Sequence, residues 1–188
     1  MGRWEPDARG RLLKAALELY GERGFEQTTV AEIAERAGLT ERTFFRHFAD
    51  KREVLFAGAD ALRELLVDTV ADAPASATPI DAAAAGLQAA GAFIQEGREL
   101  ARQRQAIIAV SEELQERELI KLASLASALA QALRRRGVKD PVASLAAEAG
   151  IAIFRIAFER WIEQGGQQDL PQIIRESLEQ LKAVTAGQ

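Results

Sequence analysis

The most constraining feature of the chain is the stretch TTVAEIAERAGLTERTFFRHF, residues 28–48. It holds two helical segments of about two turns each, separated by one glycine. Thr29-Val-Ala-Glu32 is a capping box: the threonine hydroxyl can accept from the backbone N–H three residues on, and the glutamate can reach back. Val30, Ile33, Ala34 and Ala37 then share one helix face, and Gly38 stands where a left-handed residue can stop the helix. Thr40 is a good N-cap for the next segment, Glu41 to His47. Phe44 and Phe48 are four apart and share a face, expected to turn inward toward Leu17, Phe25 and Ile33. Glu41, Arg42, Phe45 and Arg46 fall on the outer side. Two short helices joined by a tight glycine turn and packed on an earlier helix form a helix-turn-helix, whose second helix enters the major groove with its N-terminal residues leading.

The rest of the chain reads as helix, with no convincing strand. Leu13, Ala16, Leu17 and Tyr20 give a first helix from about residue 7 to 23, ended by Gly24. Asp50-Lys-Arg-Glu53 is a second capping box, expected to open one helix running to about Val70. ADAPASATP, residues 71–79, is a proline-bearing break. Further helices are expected at about 80–96, 98–111, 115–136 (with a stripe of Leu122, Leu125, Leu129 and Leu133), 141–164 and 170–183. The expectation is an all-α protein of about nine helices. An N-terminal helix-turn-helix domain takes residues 1–52, with the first linker helix to about 70, and a larger helical regulatory and dimerisation domain takes 53–188.

Charge is uneven. The whole chain carries −4, but residues 1–52 hold ten Lys/Arg against nine Asp/Glu, and the remainder fourteen against nineteen. A small basic excess at one end of an acidic chain fits an anion-binding surface there and argues against indiscriminate nucleic-acid binding. Cysteine is absent, which excludes a disulfide framework and thiolate metal sites. No run approaches the 18 or so apolar residues of a membrane span, and the first residues lack the apolar stretch of a signal peptide. A cytoplasmic protein is expected.

Enzyme chemistry finds no support. No Ser/His/Asp order, glycine-rich phosphate loop or HExxH pattern stands out, and the one histidine, His47, has no partner for a metal site. No catalytic residue, metal or cofactor is expected.

TTVAEIAERAGLTERTFFRHFADKREVLF resembles the DNA-binding domain of TetR/AcrR-type bacterial transcriptional regulators. These have a threonine before the second helix, an IA-x-x-AG segment and a T-F-Y-x-H-F-x-x-K signature. The match covers roughly residues 9–56. It implies phosphate contacts for Thr29, Thr40, His47 and Lys51, which set register without reading sequence. Arg42, Thr43 and Arg46 are the candidates for base edges; Arg42 can take guanine O6 and N7 bidentately, and Thr43 can touch a thymine methyl. This chain departs from the pattern at Phe45, where the family has a tyrosine whose hydroxyl contacts phosphate. Its ring can still pack against the DNA sugar.

The resemblance also implies a homodimer on a palindromic DNA operator and a cavity for a small-molecule inducer. The segment 149–162 is apolar around most of its circumference, so it needs cover on nearly all sides. Ile151, Phe158, Ile162, Ile173, Ile174, Leu178 and Leu181 are the candidates for a dimer interface. Phe93, Arg98, Gln103, Arg104, Ile107, Ile108, Phe154, Phe158 and Trp161 are the candidates for the inducer pocket, and the arginines beside aromatics suit an amphipathic or acidic ligand. The alternative is a helical ligand- or partner-binding protein with a vestigial reading head.

Overall fold

A computed structural model describes residues 8–165 and 168–187. Among them lie nine α-helices: α1 Ala8–Arg23, α2 Val30–Arg36, α3 Glu41–His47, α4 Ala59–Asp72, α5 Pro79–Gln95, α6 Arg98–Ala109, α7 Glu112–Arg135, α8 Val142–Glu163 and α9 Leu170–Thr185. The described residues include no strand. None of these helices is long and apolar enough to cross a membrane.

The expected helix from Asp50 to Val70 is corrected by the structure. A 3-10 turn, Glu53–Phe56, comes first and α4 follows only from Ala59. The cap itself forms: Asp50 Oδ1 accepts from the backbone N–H groups of Arg52 (2.9 Å) and Glu53 (3.2 Å). Val54, Leu55 and Phe56 are all buried, so tertiary packing on both sides of this short segment overrides continuation as a regular helix.

The chain divides into two compact units. The first takes in the chain to Ala59 together with Glu99–Glu118; the second holds Asp60–Arg98 and everything from Leu119 onward. The boundary expected at residue 52 therefore falls inside the first unit. Most of α6 and the first residues of α7 belong with the reading head.

In the first unit, α1, α2, α3 and the 3-10 turn share one core with α6. Leu12, Ala16, Leu17, Phe25, Ile33, Phe44 and Phe48 are buried together, with Val54, Ile107, Ile108 and Leu114 completing the cluster. Phe44 is fully buried and lies 5.6 Å from Phe48, ring centre to ring centre. Burying one such ring stabilises by about 1.5–3 kcal/mol.

In the second unit, α5, α8 and α9 pack on one another. Ile173 and Ile174 of α9 are fully buried. Small residues let the helices approach: a Cβ on Gly86 would lie 2.8 Å from Val70 Cγ2 and 3.0 Å from the Leu66 carbonyl oxygen. Any larger residue there forces α4 and α5 apart.

Candidate nucleic-acid interface

The turn between α2 and α3 is built from local hydrogen bonds. Leu39 N–H donates to Ala34 O (2.8 Å) and Gly38 N–H to Glu35 O (2.9 Å), the paired bonds of a glycine-ended helix. Gly38 has φ +66°, a conformation that disfavours any residue with a Cβ. One residue outside the motif also fixes this turn. The Arg11 guanidinium, from α1, donates to the carbonyls of Ala37 and, at 3.3 Å, of Gly38. Sequence reading missed Arg11, because nothing in the local pattern of α1 points to a carbonyl 26 residues away.

Both threonine caps form. Glu32 N–H donates to Thr29 Oγ1 (3.3 Å) and Thr29 N–H donates to Glu32 Oε2 (2.9 Å), the reciprocal pair of a capping box. Thr43 N–H donates to Thr40 Oγ1 (3.2 Å), and the two hydroxyls lie 3.1 Å apart. Glu32 is held below the usual carboxylate range by the backbone hydrogen bond from Thr29, then by its hydroxyl, with Arg23 adding to this. Arg23 pairs with Glu32 at 2.7 Å and Arg36 with Glu22 at 3.0 Å, so these α1–α2 cations are already committed.

The outer face of α3 is different. Glu41, Arg42, Phe45 and Arg46 are exposed, and Thr43 is half-buried. Among the described residues neither Arg42 nor Arg46 has a hydrogen-bond or ion-pair partner. Behind them Phe44 and Phe48 anchor the helix in the core, so the side chains in front are presented from a fixed support.

Lys51 and His47 are the other two residues expected at phosphates. Lys51 turns its ammonium inward, donating to the carbonyls of Phe25 (2.9 Å), Thr28 (3.1 Å) and Glu26 (3.4 Å), and stands 4.2 Å from the Phe25 ring centre. That geometry ties the segment after α3 to the α1–α2 loop. Tyr20 adds a second tie, donating its hydroxyl to Lys51 O at 2.7 Å. Burial raises the Tyr20 pKa, and Asp50 nearby adds to the rise. His47 is half-buried, with its Nε2 unpartnered inside.

The residues expected to line an inducer pocket fall into both units. In the first, Ile107 and Ile108 belong to the core of the reading head. Arg104 donates to Leu55 O (2.8 Å), pairs with Glu118 (3.1 Å) and lies 4.8 Å from the Phe56 ring centre. Burial lowers its pKa and Glu118 opposes that. Gln103 and Ile107 line an open cleft of about 680 Å³ whose walls are α1, at Leu17 and Gly21, and α6, at Leu100. In the second unit, Arg98 donates to Trp161 O (2.9 Å) and lies 4.9 Å from the Trp161 ring centre. Phe158 stands between Phe154 (6.1 Å) and Trp161 (5.8 Å). Phe93 is exposed.

Of the residues expected at a dimer interface, Ile151, Ile173, Ile174 and Leu178 are buried within the chain itself, and Phe158, Ile162 and Leu181 are half-buried. The apolar side chains that α8 turns outward are Val142, Leu145 and Ile156, respectively 50%, 66% and 47% exposed.

Comparison with known proteins places this architecture. Residues 12–57 match the family model for bacterial regulatory proteins of the tetR family, and residues 77–186 match the model for the MftR C-terminal domain. The HTH-type transcriptional regulator TcmR of Streptomyces glaucescens is 37% identical over 89 residues, 47% of this chain; the chain spans 39% of that relative's length. The solved complex of SmeT with triclosan superposes with a TM-score of 0.65 at 23% identity, covering 94% of this chain and 90% of that one. FadR of Bacillus subtilis, solved with stearoyl-CoA, gives 0.62 at 19% identity, covering 90% and 95%. At these identities the two structures speak for the fold.

Proposed function

This chain belongs to the TetR family of bacterial regulatory proteins, and from that premise we propose that it is a cytoplasmic, dimeric transcriptional repressor released from a palindromic operator by a small molecule. The observation that carries the reading is the face of α3. A short helix is held from behind by two buried phenylalanines and presents two unpartnered guanidiniums outward. Leaving Arg42 and Arg46 unpaired while Arg23, Arg36 and Arg11 are all engaged makes chemical sense if a polyanion supplies the missing partners.

Within this proposal the threonines at the two caps, Thr29 and Thr40, meet phosphates, and His47, at the other end of α3, meets another. Lys51 acts through position: by fixing the α1–α2 loop it holds Thr29 in place. Arg42 and Arg46 address base edges, with Thr43 beside them. Two heads on one palindrome need a dimer, and the outward apolar side chains of α8 (Leu145 and Ile156) are the surface we assign to it.

The inducer reading rests on the second unit. Arg98 over Trp161, with Phe158 and Phe154 stacked beyond, suits an amphipathic molecule with an acidic end. Stearoyl-CoA, present in the solved FadR structure, has that chemistry and is the first compound to try.

The test is fluorescence anisotropy with the DNA upstream of the chain's own gene, at about 0.15 M salt, against a scrambled duplex. Tight binding to the first and weak binding to the second is expected. Arg42→Ala should lose about 1–3 kcal/mol at one operator position while leaving other positions unchanged. Equal affinity for both duplexes favours the alternative, a helical ligand-binding protein whose head no longer reads sequence.

A further inference from the structure

We propose that Phe45 is a specificity-determining residue that reads the C5-methyl group of a thymine in the major groove, an assignment that rests on the DNA-binding reading above. Phe45 is 55% exposed on the middle of α3. Its ring is not loose: Phe44 meets it edge-on, with centres 5.4 Å apart and planes at 80°, and Phe44 is itself fully buried. The exposed ring therefore projects from a rigid base.

Its neighbours define what it meets. With 3.6 residues per turn, the outer circumference of α3 runs Glu41, Phe45, Arg42, Arg46. Phe45 thus stands between a carboxylate and an unpartnered guanidinium, on the face proposed to address base edges. Thr43, the other base-edge candidate, follows Arg46 around the helix, and Thr40, assigned to a phosphate, caps its N-terminus with its hydroxyl 3.1 Å from that of Thr43. A benzene ring can neither donate nor accept a conventional hydrogen bond. Pressed against the polar edge of guanine, adenine or cytosine, it removes water and returns nothing. The major groove offers one apolar group, the methyl of thymine. Phe45 accordingly selects thymine, next to whichever base Arg42 engages.

The experiment uses the full chain and a duplex that the protein itself enriches from a random-sequence pool. Each thymine of the enriched site is replaced singly by deoxyuridine, which removes the methyl and nothing else, and affinity is read by anisotropy. One thymine in each half-site is expected to be methyl-sensitive, with binding weakened about fourfold, the factor that one buried methyl corresponds to. Phe45→Ala should bind the thymine and deoxyuridine duplexes equally, and Phe45→Leu should keep most of the preference. Because more than half of the side chain is exposed, both variants should remain folded at the assay temperature, with Phe45→Ala melting slightly lower for the lost contact with Phe44. A site in which no thymine is methyl-sensitive overturns the assignment. So does Phe45→Ala retaining the preference, or Thr43→Ser losing it instead. A pool that enriches no sequence at all overturns the regulator reading, a different outcome from either.

Discussion

Replacing Gly38 by alanine tests how the turn before α3 is held. Two penalties are expected. The first is backbone strain: at φ +66° a Cβ residue pays about 1–2 kcal/mol, partly offset by the smaller entropy of the unfolded alanine chain, for a net of about 1 kcal/mol. The second is steric: the new Cβ would stand 2.9 Å from an Arg11 guanidinium nitrogen, the same nitrogen that donates to Ala37 and Gly38. Displacing it loosens two charge-assisted hydrogen bonds at a partly solvated site, about 1–2 kcal/mol more. Gly38→Ala should therefore destabilise by about 2–3 kcal/mol, a fall in melting temperature of about 5–10 °C.

Gly24 is the internal control. It has φ +85° in the same unit, and a Cβ there would meet nothing within 4 Å. Gly24→Ala should show the strain alone, about 1 kcal/mol. Urea unfolding of both variants, repeated in an Arg11→Met background, isolates the contact. In that background the two substitutions should become equivalent. If Gly38→Ala is no worse than Gly24→Ala in the otherwise native chain, Arg11 is not a clamp on the turn and the reasoning fails.

Tyr20→Phe removes a buried hydroxyl bonded at 2.7 Å to Lys51 O and should reduce stability by about 1 kcal/mol near neutrality. Its pH signature is specific: the folded state holds the phenol neutral above its ordinary range, so stability is full below about pH 10 and falls as pH rises beyond it. Tyr20→Phe should flatten that alkaline loss in a pH series of urea midpoints, and an unchanged series would count against the burial effect. Arg104→Met leaves Glu118 beside buried apolar groups and should destabilise by about 1–3 kcal/mol; adding Glu118→Leu should recover part of it, and strict additivity would rule out a coupled pair. Leu145→Glu with Ile156→Glu changes two exposed positions on α8 and should keep the fold while shifting sedimentation from twice 20.4 kDa to 20.4 kDa. A double variant that still sediments as a dimer moves the interface elsewhere.

The reading head was legible because its instructions are local. The Thr29 and Glu32 cap, the Thr40 cap, the Gly38 stop and the four-residue spacing of Phe44 and Phe48 each act within one or two turns, and each formed as the sequence dictates. The same locality explains the recurring helices and the absence of strand among the described residues.

Placement of the other elements depended on distant partners. Gln103, Arg104, Ile107 and Ile108 carry helical spacing, but spacing cannot say which neighbour a face will meet; packing gave their segment to the core of the head. Lys51 looks like a free cation in sequence, and only the fold brings three carbonyls from the α1–α2 loop to its ammonium. Asp50 capped as expected, yet burial of Val54, Leu55 and Phe56 confined the result to a 3-10 turn. The sequence alone thus determined the two short helices of the motif and where they start, because hydrogen bonds three and four residues apart set those features. Tertiary structure decided which charges stay unpaired on the outer face of α3, because an arginine's partner is chosen by whichever carbonyl or carboxylate the fold carries into reach.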